Sequence, residues 1–357
     1  MEIRIVPLPE DRKKPKYTDE SQLGFGKLFT DRMFMVEWKI GEGWVDARIE
    51  PYAPFSLDPA CSVLHYAQEI FEGLKAYKWA DGTIALFRPE MNARRFNLSA
   101  DRLCMPEVPE ELFIAGIEKL VSLERDWIPT SEGTSLYIRP TMIGVEPALG
   151  VKPADHYYFY VILSPVGAYY AAGFNPIKIM VEDRYVRAVP GGTGEAKTGG
   201  NYAGSLKAGL EAKKKGYDQV LWLDGVQRRY IEEVGAMNML FAYGKTIVTS
   251  PLTGTILNGV TRDSALKLAA SLGYTIEERL IDVNDLLADI KTGKVTEAFG
   301  SGTAAVISPV GVLAYKGEEY MVGDGGVGPI TRQLYDNLTG IQTGRVPDTF
   351  GWTRKIA

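Results

Sequence analysis

The first half of the chain is a series of apolar, β-rich stretches separated by polar turns. Residues 33–52 and 72–88 are predicted to form strand pairs, the second turning at Ala80-Asp81-Gly82. The runs at 135–143 and 157–163 are apolar and rich in β-forming residues, which predicts buried strands.

Between these strands the apolar positions take a helical spacing. We predict amphipathic helices over residues 89–104 and 109–125. Pro89 lies in the first turn of the first helix, where its missing N–H is tolerated. Glu110 and Glu111 open the second helix, as the helix dipole favours.

Strands and helices alternate in the second half of the chain. The predicted strands cover residues 177–181, 219–224, 245–249 and 304–315, and the predicted helices cover residues 203–215, 262–272 and 329–339. Between Pro165 and Pro176 the chain contains several small residues, which is typical of a linker.

A chain of 357 residues exceeds the size at which a single core keeps growing, so two domains are expected. We predict an α/β (α+β) protein. A smaller N-terminal domain is expected at residues 1–166, an interdomain linker at 167–177 and a larger C-terminal domain at 178–357.

Composition excludes several classes of function. The net charge is -5 and no long basic run occurs, so nucleic acid is not expected as a partner. Cys61, Cys104, His65 and His156 are too few to build a disulfide framework or a metal site of several imidazoles. Neither histidine neighbours a Gly-x-Ser-x-Gly elbow, which argues against a Ser-His-Asp hydrolase. No apolar window approaches the length of a signal-peptide core or a membrane span, so a cytoplasmic protein without membrane contact is expected.

Lys197 lies in the segment GGTGEAKTGG at residues 191–200, where five glycines flank a single amine. So many glycines indicate that the main chain passes close to a ligand or to another segment, and that the lysine is presented to a ligand. Two chemistries use a lysine in this way. One is a phosphate-binding loop, in which the lysine is a point charge, and the other is an amine that traps a carbonyl as a Schiff base.

The phosphate-binding alternative is a near match. Gly191, Lys197 and Thr198 have the Walker spacing, and VLWLD at 220–224 is typical of a strand that ends in a magnesium-holding aspartate. However, Ala196 replaces the glycine that lets amides wrap the phosphates, and the glycines at 199–200 are expected to break the helix that must start there. A magnesium-dependent ATPase is therefore the weaker alternative.

Three motifs around and after Lys197 resemble the branched-chain amino acid aminotransferases. They are GEAKTGGNY at 194–202, EEVGAMN at 232–238 and FGSGTA at 299–304. Further matches to that family precede them, namely FGK at 25–27, VEW at 36–38, FEGLKA at 71–76, FRPxxN at 87–92 and YIRP at 137–140. Because the matches occur in order over nearly the whole chain, they are far more specific than the lysine segment alone.

The resemblance implies a two-domain fold type IV aminotransferase that uses pyridoxal 5'-phosphate and no metal. It implies a reversible ping-pong reaction, in which L-leucine, L-isoleucine or L-valine gives its amino group to 2-oxoglutarate. The products are the branched 2-oxo acid and L-glutamate. The family also implies a homodimer. The composition alone does not show one.

The resemblance assigns roles around the cofactor ring. Lys197 is implied to form the Schiff base and then to carry the proton between the substrate Cα and the cofactor. Glu233 is implied to face the pyridine nitrogen, and Tyr202 to bind the ring hydroxyl. On sequence alone either Glu232 or Glu233 could be the buried carboxylate, and the match selects Glu233.

The implied phosphate ligand is Arg95, because a guanidinium can meet two phosphate oxygens at once. Adjacent residues of a helix diverge by about 100 degrees, so Arg94 is expected to face solvent. The other implied cofactor residues contact the phosphate or pack on the ring face, and they are Leu257, Val260, Thr261 and Thr303.

The implied substrate-lining positions are aromatic, and they are Phe25, Tyr66, Phe71, Tyr137 and Tyr169. Such side chains suit branched aliphatic substrates, which they bury. Arg139, with Tyr66, is implied to receive the second carboxylate of glutamate. The substrate α-carboxylate is expected near Thr303 and Ala304.

Two departures from the animal members of the family are visible. Ala236 removes a hydroxyl that those members carry near the cofactor ring. AAVIS at 304–308 lacks their Cys-x-x-Cys, so their thiol switch is expected to be absent. Arg187, ten residues before Lys197, also matches an arginine of the family, but the sequence assigns it no role.

An alternative of the same fold is an enzyme that acts on D-amino acids or a carbon-carbon lyase. Such an enzyme would share Lys197 and Glu233, but it would lack the matches around Phe71 and Arg139. A binding protein without catalytic activity would have lost the lysine or the glutamate, and this chain keeps both.

Overall fold

The computed structural model describes residues 1–167 and 174–356, which separate into two compact units. The first unit comprises residues 1–167, 196–199 and 341–356, and the second comprises residues 174–195 and 200–340. The short segment that carries Lys197 therefore belongs to the first unit, although its neighbours in sequence belong to the second.

The part of the chain up to residue 167 supplies most of the first unit. Its strands are β1 (Arg4–Ile5), β2 (Arg32–Lys39), β3 (Gly43–Pro51), β4 (Glu69–Phe71), β5 (Leu74–Lys78), β6 (Ile84–Phe87), β7 (Ser135–Gly144) and β8 (His156–Val166). Its α-helices are α1 (Ser62–Tyr66), α2 (Pro89–Arg102) and α3 (Glu110–Leu123).

Strands and helices alternate after residue 174. The strands are β9 (Ile177–Glu182), β10 (Gln219–Leu223), β11 (Ile231–Val234), β12 (Met237–Tyr243), β13 (Thr246–Thr249), β14 (Thr275–Glu278), β15 (Glu297–Gly302), β16 (Val306–Tyr315), β17 (Glu318–Met321) and β18 (Thr353–Ile356). The helices are α4 (Gly199–Lys214), α5 (Val260–Ser271), α6 (Val283–Lys291) and α7 (Pro329–Gln342).

The sheet of the first unit has the strand order β1-β3-β2-β8-β7-β5-β6-β18, and β4 pairs with β7. Its pairs are antiparallel except β1 with β3. The last strand, β18, returns from the far end of the sequence to the edge at β6. The predicted division at residues 167–177 does not include this pairing. The chain returns to the first sheet after the second unit is complete.

The core of the first unit lies where α2 and α3 meet this sheet. Phe34, Phe96, Phe113 and Phe159 have no exposed surface and come from two strands and the two helices. The ring of Phe113 stacks on that of Phe159 with the centroids 5.7 Å apart. Apolar burial of this kind stabilises the helices against the sheet and so fixes the direction of the other α2 side chains.

The sheet of the second unit has the order β11-β10-β9-β16-β15-β12-β13-β14, with β17 beside β16. In addition β11 pairs with β12, so that β11, β10, β9, β16, β15 and β12 form a closed circuit. Closing the circuit brings the strand that carries Glu233 next to both β10 and β12.

The predicted α/β (α+β) class is confirmed, and most elements lie where the sequence placed them. The helix predicted at 203–215 is the main correction, because α4 already begins at Gly199. The paired glycines do not break the helix, since they occupy its first turn, where the amides need no partner within the helix. The predicted linker includes residues outside the described part, and the predicted domain limits stay a prediction.

Within residues 1–167 and 174–356, every helix is too short or too polar to span a membrane.

The aromatic core predicts a large difference between two substitutions on α2. Phe96 is fully buried with its ring centroid 5.5 Å from that of Phe113 and 5.2 Å from that of Phe159, whereas Leu98 is 67% exposed. Phe96→Ala is expected to lower the free energy of unfolding by about 3–5 kcal/mol, and Leu98→Ala by no more than about 0.5 kcal/mol. Urea unfolding followed by circular dichroism measures both, and equal losses would contradict this account of the core.

Candidate active site

The segment that carries Lys197 is fixed to the first unit by its main chain. The Lys197 carbonyl accepts from the Phe71 amide at 3.0 Å, and the Lys197 amide donates to Ser99 Oγ at 2.9 Å. The hydroxyl of Thr198 donates to the Glu69 carbonyl at 2.7 Å. Lys197 Nζ lies 4.8 Å from the centroid of the Phe71 ring. The amine is therefore held between β4 and α2.

Arg95 lies on the buried side of α2 and pairs with a carboxylate that the sequence did not single out. Its Nε donates to Glu72 Oε1 at 2.7 Å, and its Nη2 donates to Oε2 at 2.8 Å. Asn92 Nδ2 and the Gly73 amide also donate to Oε2, at 2.7 and 3.1 Å. The neighbouring Arg94 side chain is 62% exposed, so the predicted orientation of the two arginines is confirmed.

Glu72 is a fully buried anion. Burial alone would raise the pKa of its carboxyl, but the charges of Arg95 and Lys197 and the hydrogen bond from Asn92 hold that pKa below its ordinary value. The carboxylate therefore has two cations to neutralise it and a rigid set of donors. Because Glu72 uses two donors of the guanidinium, it fixes the plane in which Arg95 presents the others.

Lys75 is a buried amine of the first unit. Burial lowers the pKa of Lys75 to about 8. The residue lies on β5 opposite Tyr137 of β7. A buried lysine with a lowered pKa is itself a candidate nucleophile, so an experiment on Lys197 must distinguish the two amines.

Four of the predicted substrate-lining residues form one group in the first unit. The ring of Phe25 meets that of Tyr137 edge to face with the centroids 4.9 Å apart. The guanidinium of Arg139 lies 4.7 Å from the centroid of the Phe71 ring, and its Nη2 donates to the Tyr137 hydroxyl at 3.0 Å. The aromatic surface of this group could bury an apolar substrate side chain, and its one cation could pair with a substrate carboxylate.

Tyr66 lies on α1, where it is 41% exposed and its hydroxyl donates to the Leu149 carbonyl in the loop after β7. Its implied role beside Arg139 stays a prediction. Tyr169 lies outside the described residues.

Glu233 is the centre of a polar cluster in the second unit. Its Oε1 accepts from the Leu257 amide at 3.0 Å and from Asn238 Nδ2 at 3.1 Å. Its Oε2 lies 2.8 Å from Arg187 Nη2. The preceding carboxyl, Glu232, binds the Thr255 hydroxyl instead. The two glutamates are thus both buried but have different partners, and of the two only Glu233 is paired with a cation at contact distance among the described ion pairs.

Three strands place further predicted residues beside this cluster. Glu233 of β11 pairs in register with Asn238 of β12, and Asn238 pairs with Ser301 of β15. Thr303 and Ala304 follow at the end of β15, in the turn to β16.

The start of α5 carries the predicted residues Val260 and Thr261, both buried. The residue before the helix is Gly259, so no side chain caps it. A Cβ at Gly259 would collide with Asn238 Oδ1, and glycine is therefore required for the loop to pass this close to β12. Buried amides at an uncapped helix start need an acceptor, and a phosphate group is a suitable one.

Tyr202 lies in the first turns of α4. It belongs to the second unit, three residues beyond the end of the lysine segment at Gly199.

Glu72, Asn92 and Asn238 are the residues that the sequence missed. Glu72 lies inside the FEGLKA motif and Asn92 inside FRPxxN, so both lie in segments already noted. Their roles could not be predicted, because a carboxylate or amide in a motif does not reveal which side chain it binds.

Residues 69–312 match the model of the amino-transferase class IV family. Branched-chain-amino-acid aminotransferase 2 of Bacillus subtilis (strain 168) is 52% identical over 345 residues, which cover 97% of this chain and 95% of that protein. The branched-chain-amino-acid aminotransferase of Mycolicibacterium smegmatis is 49% identical, covering 93% of this chain and 92% of that protein.

A solved structure shares the fold. The branched-chain amino acid aminotransferase of Escherichia coli has a TM-score of 0.74 at 28% identity, and the match covers 90% of this chain and 99% of that one. The chain therefore belongs to the class IV aminotransferases and, within them, to the branched-chain-amino-acid aminotransferases.

Proposed function

We propose that this transaminase uses pyridoxal 5'-phosphate to exchange amino groups between L-leucine, L-isoleucine or L-valine and 2-oxoglutarate. The observation that carries the proposal is the arrangement of the first unit, where Lys197 lies against Phe71 and the Glu72 anion bears on both Lys197 and Arg95. Another solved branched-chain amino acid aminotransferase, 27% identical with a TM-score of 0.74, is complexed with N-(5'-phosphopyridoxyl)-L-glutamate, which supports the same cofactor.

The phosphate donors that the sequence predicted fit this cofactor chemically. Arg95 is a buried cation whose orientation is fixed by Glu72. The uncapped start of α5 supplies buried amides at Val260 and Thr261. We assign Arg95, Val260, Thr261 and Thr303 to the phosphate on this basis.

The residues proposed for the ring also fit. A pyridine nitrogen needs a carboxylate that stays ionised, and Glu233 is buried beside Arg187. The main-chain amide of Leu257 donates to Glu233, so Leu257 lies next to the carboxylate proposed for the ring nitrogen. This position suits a side chain packed on the ring face. Tyr202 is assigned to the ring hydroxyl.

Lys197 has two duties in the proposed reaction. Its Nζ would hold the cofactor covalently, and the same amine would carry the proton at the substrate Cα. When bound, pyridoxal phosphate supplies the electron sink that stabilises negative charge at that carbon. Glu233 favours a protonated pyridine nitrogen by its negative charge. The hydrogen bonds that the Lys197 main chain makes with Ser99 and Phe71 fix where the amine starts.

The substrate side uses the aromatic group of the first unit. Phe25, Phe71 and Tyr137 offer apolar surface to a branched side chain, and Arg139 offers a cation to the second carboxylate of glutamate. The presence of this group favours an L-branched-chain substrate over the D-amino acid and lyase alternatives. Tyr66, Tyr169, Thr303 and Ala304 complete the proposed substrate residues.

A homodimer is supported by an apolar patch on the first unit. The patch consists of large side chains on α1 and on the loop after β7 that are 41–84% exposed, and they are Leu64, Tyr66, Leu149 and Val151. Tyr66 is hydrogen-bonded to Leu149, which joins the two parts of the patch. Exposed apolar groups of this kind mark interaction surfaces, and a second copy is the commonest partner. The predicted cytoplasmic location and domain limits stay predictions.

Replacing Lys197 tests the proposed Schiff base. Protein reconstituted with pyridoxal phosphate is expected to absorb visible light, to bleach with leucine and to recover with 2-oxoglutarate. Lys197→Ala is expected to lose the band and to slow turnover by more than about a thousandfold, since the proton carrier is removed. Lys207→Ala, whose side chain is 65% exposed, serves as the matched control and should behave as wild type. Borohydride reduction and peptide mapping locate the attachment, and a label on Lys75 would contradict the assignment.

Replacing Arg95 tests the proposed contact with the cofactor phosphate. Arg95→Gln is expected to weaken pyridoxal phosphate binding to the apoprotein by about 10- to 100-fold, because a charge-assisted hydrogen bond to the phosphate is lost. Fluorescence titration measures the affinity, and the loss should be smaller for pyridoxal without the phosphate. Arg94→Gln is the exposed control. Because Glu72 would be left unpaired, the Glu72→Gln/Arg95→Gln double variant is measured as well. Equal losses for the two ligands would assign Arg95 another role.

Charged substitutions in the apolar patch test the proposed homodimer. Light scattering is expected to give twice the mass of one chain for the wild type. Leu149→Asp with Val151→Asp should shift the protein towards the monomer, because burying a carboxylate in an interface is costly. Leu98→Asp changes an equally exposed leucine of α2 and should leave the dimer intact. A wild-type monomer with full activity would refute the assembly.

A further inference from the structure

Arg187 is a nearly buried arginine of the second unit for which the sequence gave no role. Its side chain is 8% exposed. Its Nη2 lies 2.8 Å from Glu233 Oε2 and donates to the carbonyls of Gly194 at 3.0 Å and Thr255 at 2.6 Å. One nitrogen thus has three acceptors that belong to three different segments.

Each of these segments leads to a proposed cofactor residue. Gly194 lies three residues before Lys197, Thr255 lies two residues before Leu257, and Glu233 lies on β11. The segments are closely packed, because a Cβ at Gly194 would lie 2.5 Å from the Thr255 carbonyl oxygen. The guanidinium therefore fixes the two loops at a site where they already touch.

The Glu233 carboxylate is held on both oxygens. Arg187 meets Oε2, while Asn238 and the Leu257 amide meet Oε1. A carboxylate with donors on both sides cannot rotate without breaking hydrogen bonds, and a buried anion needs a cation to stay ionised.

Glu232 shows what the arginine contact adds. It is buried on the same strand, but its Oε2 has no hydrogen-bond partner among the described residues. Burial raises the pKa of Glu232, and the Thr255 hydroxyl and the more distant charge of Arg187 oppose that shift only in part. Burial is common to both carboxyls, and within the described residues Glu233 differs by its contact with the Arg187 guanidinium and by having donors on both of its oxygens.

We propose that Arg187 is a positioning residue that keeps Glu233 ionised and oriented towards the pyridine nitrogen of the cofactor. This inference rests on the proposed function. Arg187 acts through Glu233, and its contacts to Gly194 and Thr255 hold the guanidinium itself in place.

The test is a double-mutant cycle on the full chain with Arg187→Gln, Glu233→Gln and both changes together. Arg187→Lys keeps the charge, and Arg184→Gln is a matched control on the same segment, with a side chain that is 67% exposed. Five quantities are measured: the affinity of the apoprotein for pyridoxal phosphate, the visible spectrum of the bound cofactor, kcat for leucine, KM for leucine, and the thermal midpoint of the apoprotein.

We expect Arg187→Gln to lower kcat by about tenfold or more, to change KM by less than about threefold and to weaken cofactor binding by about tenfold. Its visible spectrum should shift towards that of Glu233→Gln. Adding Arg187→Gln to Glu233→Gln should cost less than about threefold further, because the carboxylate through which Arg187 acts is already gone. Arg187→Lys should recover part of kcat, and Arg184→Gln should match the wild type.

Additive losses, or losses that only follow a lower thermal midpoint, would overturn the proposal in favour of simple bracing of the loops. Failure of both Arg187→Gln and Arg187→Lys to fold would overturn it in the same way. A wild type that binds no pyridoxal phosphate refutes the proposed function instead, whereas a normal wild type with unaffected Arg187 variants refutes this inference alone.

Discussion

The pairing of one buried carboxylate, Glu72, determines how the first unit presents its candidate site. A carboxylate with no exposed surface is stable only if cations and donors replace water, and Arg95, Asn92 and the Gly73 amide do so. Since Arg95 and Asn92 lie on α2, the pairing fixes that helix against the turn between β4 and β5. Ser99 of the same helix then binds the Lys197 amide, so the position of the amine proposed to be catalytic depends on this pairing.

In the second unit, too, a buried carboxylate is stabilised by an arginine, an asparagine and a main-chain amide. Glu233 is surrounded by Arg187, Asn238 and the Leu257 amide. They come from the segment before Lys197, from β12 and from the loop before α5. In both units a buried carboxylate thus joins segments that are distant in sequence. The two anions are expected to differ in use, because Glu72 binds an arginine whereas Glu233 is proposed to face a ring nitrogen.

The sequence predicted what depends on local pattern. The limits of α2 and α3 followed from apolar spacing and end signals, and the opposite orientations of Arg94 and Arg95 followed from helix geometry. Pairings between distant segments were not predictable, since Glu72 with Arg95 and β18 with β6 are set by tertiary packing. The order of the motifs supplied the family, but spacing alone could not select Glu233 over Glu232.

The glycines near Lys197 illustrate why a local rule failed while its conclusion held. Gly199 was expected to break a helix, yet α4 begins there. A Cβ at this position would meet the Glu69 carboxylate, so glycine allows this close approach. The Gly199 amide donates to that carboxylate, whose pKa is raised by burial and lowered in part by this bond and by the charge of Arg139. A phosphate-binding loop needs such an amide for its own anion, and an acidic side chain already occupies it. Electrostatics rather than helix propensity therefore argues against the ATPase alternative, and the glycines serve close packing around the lysine.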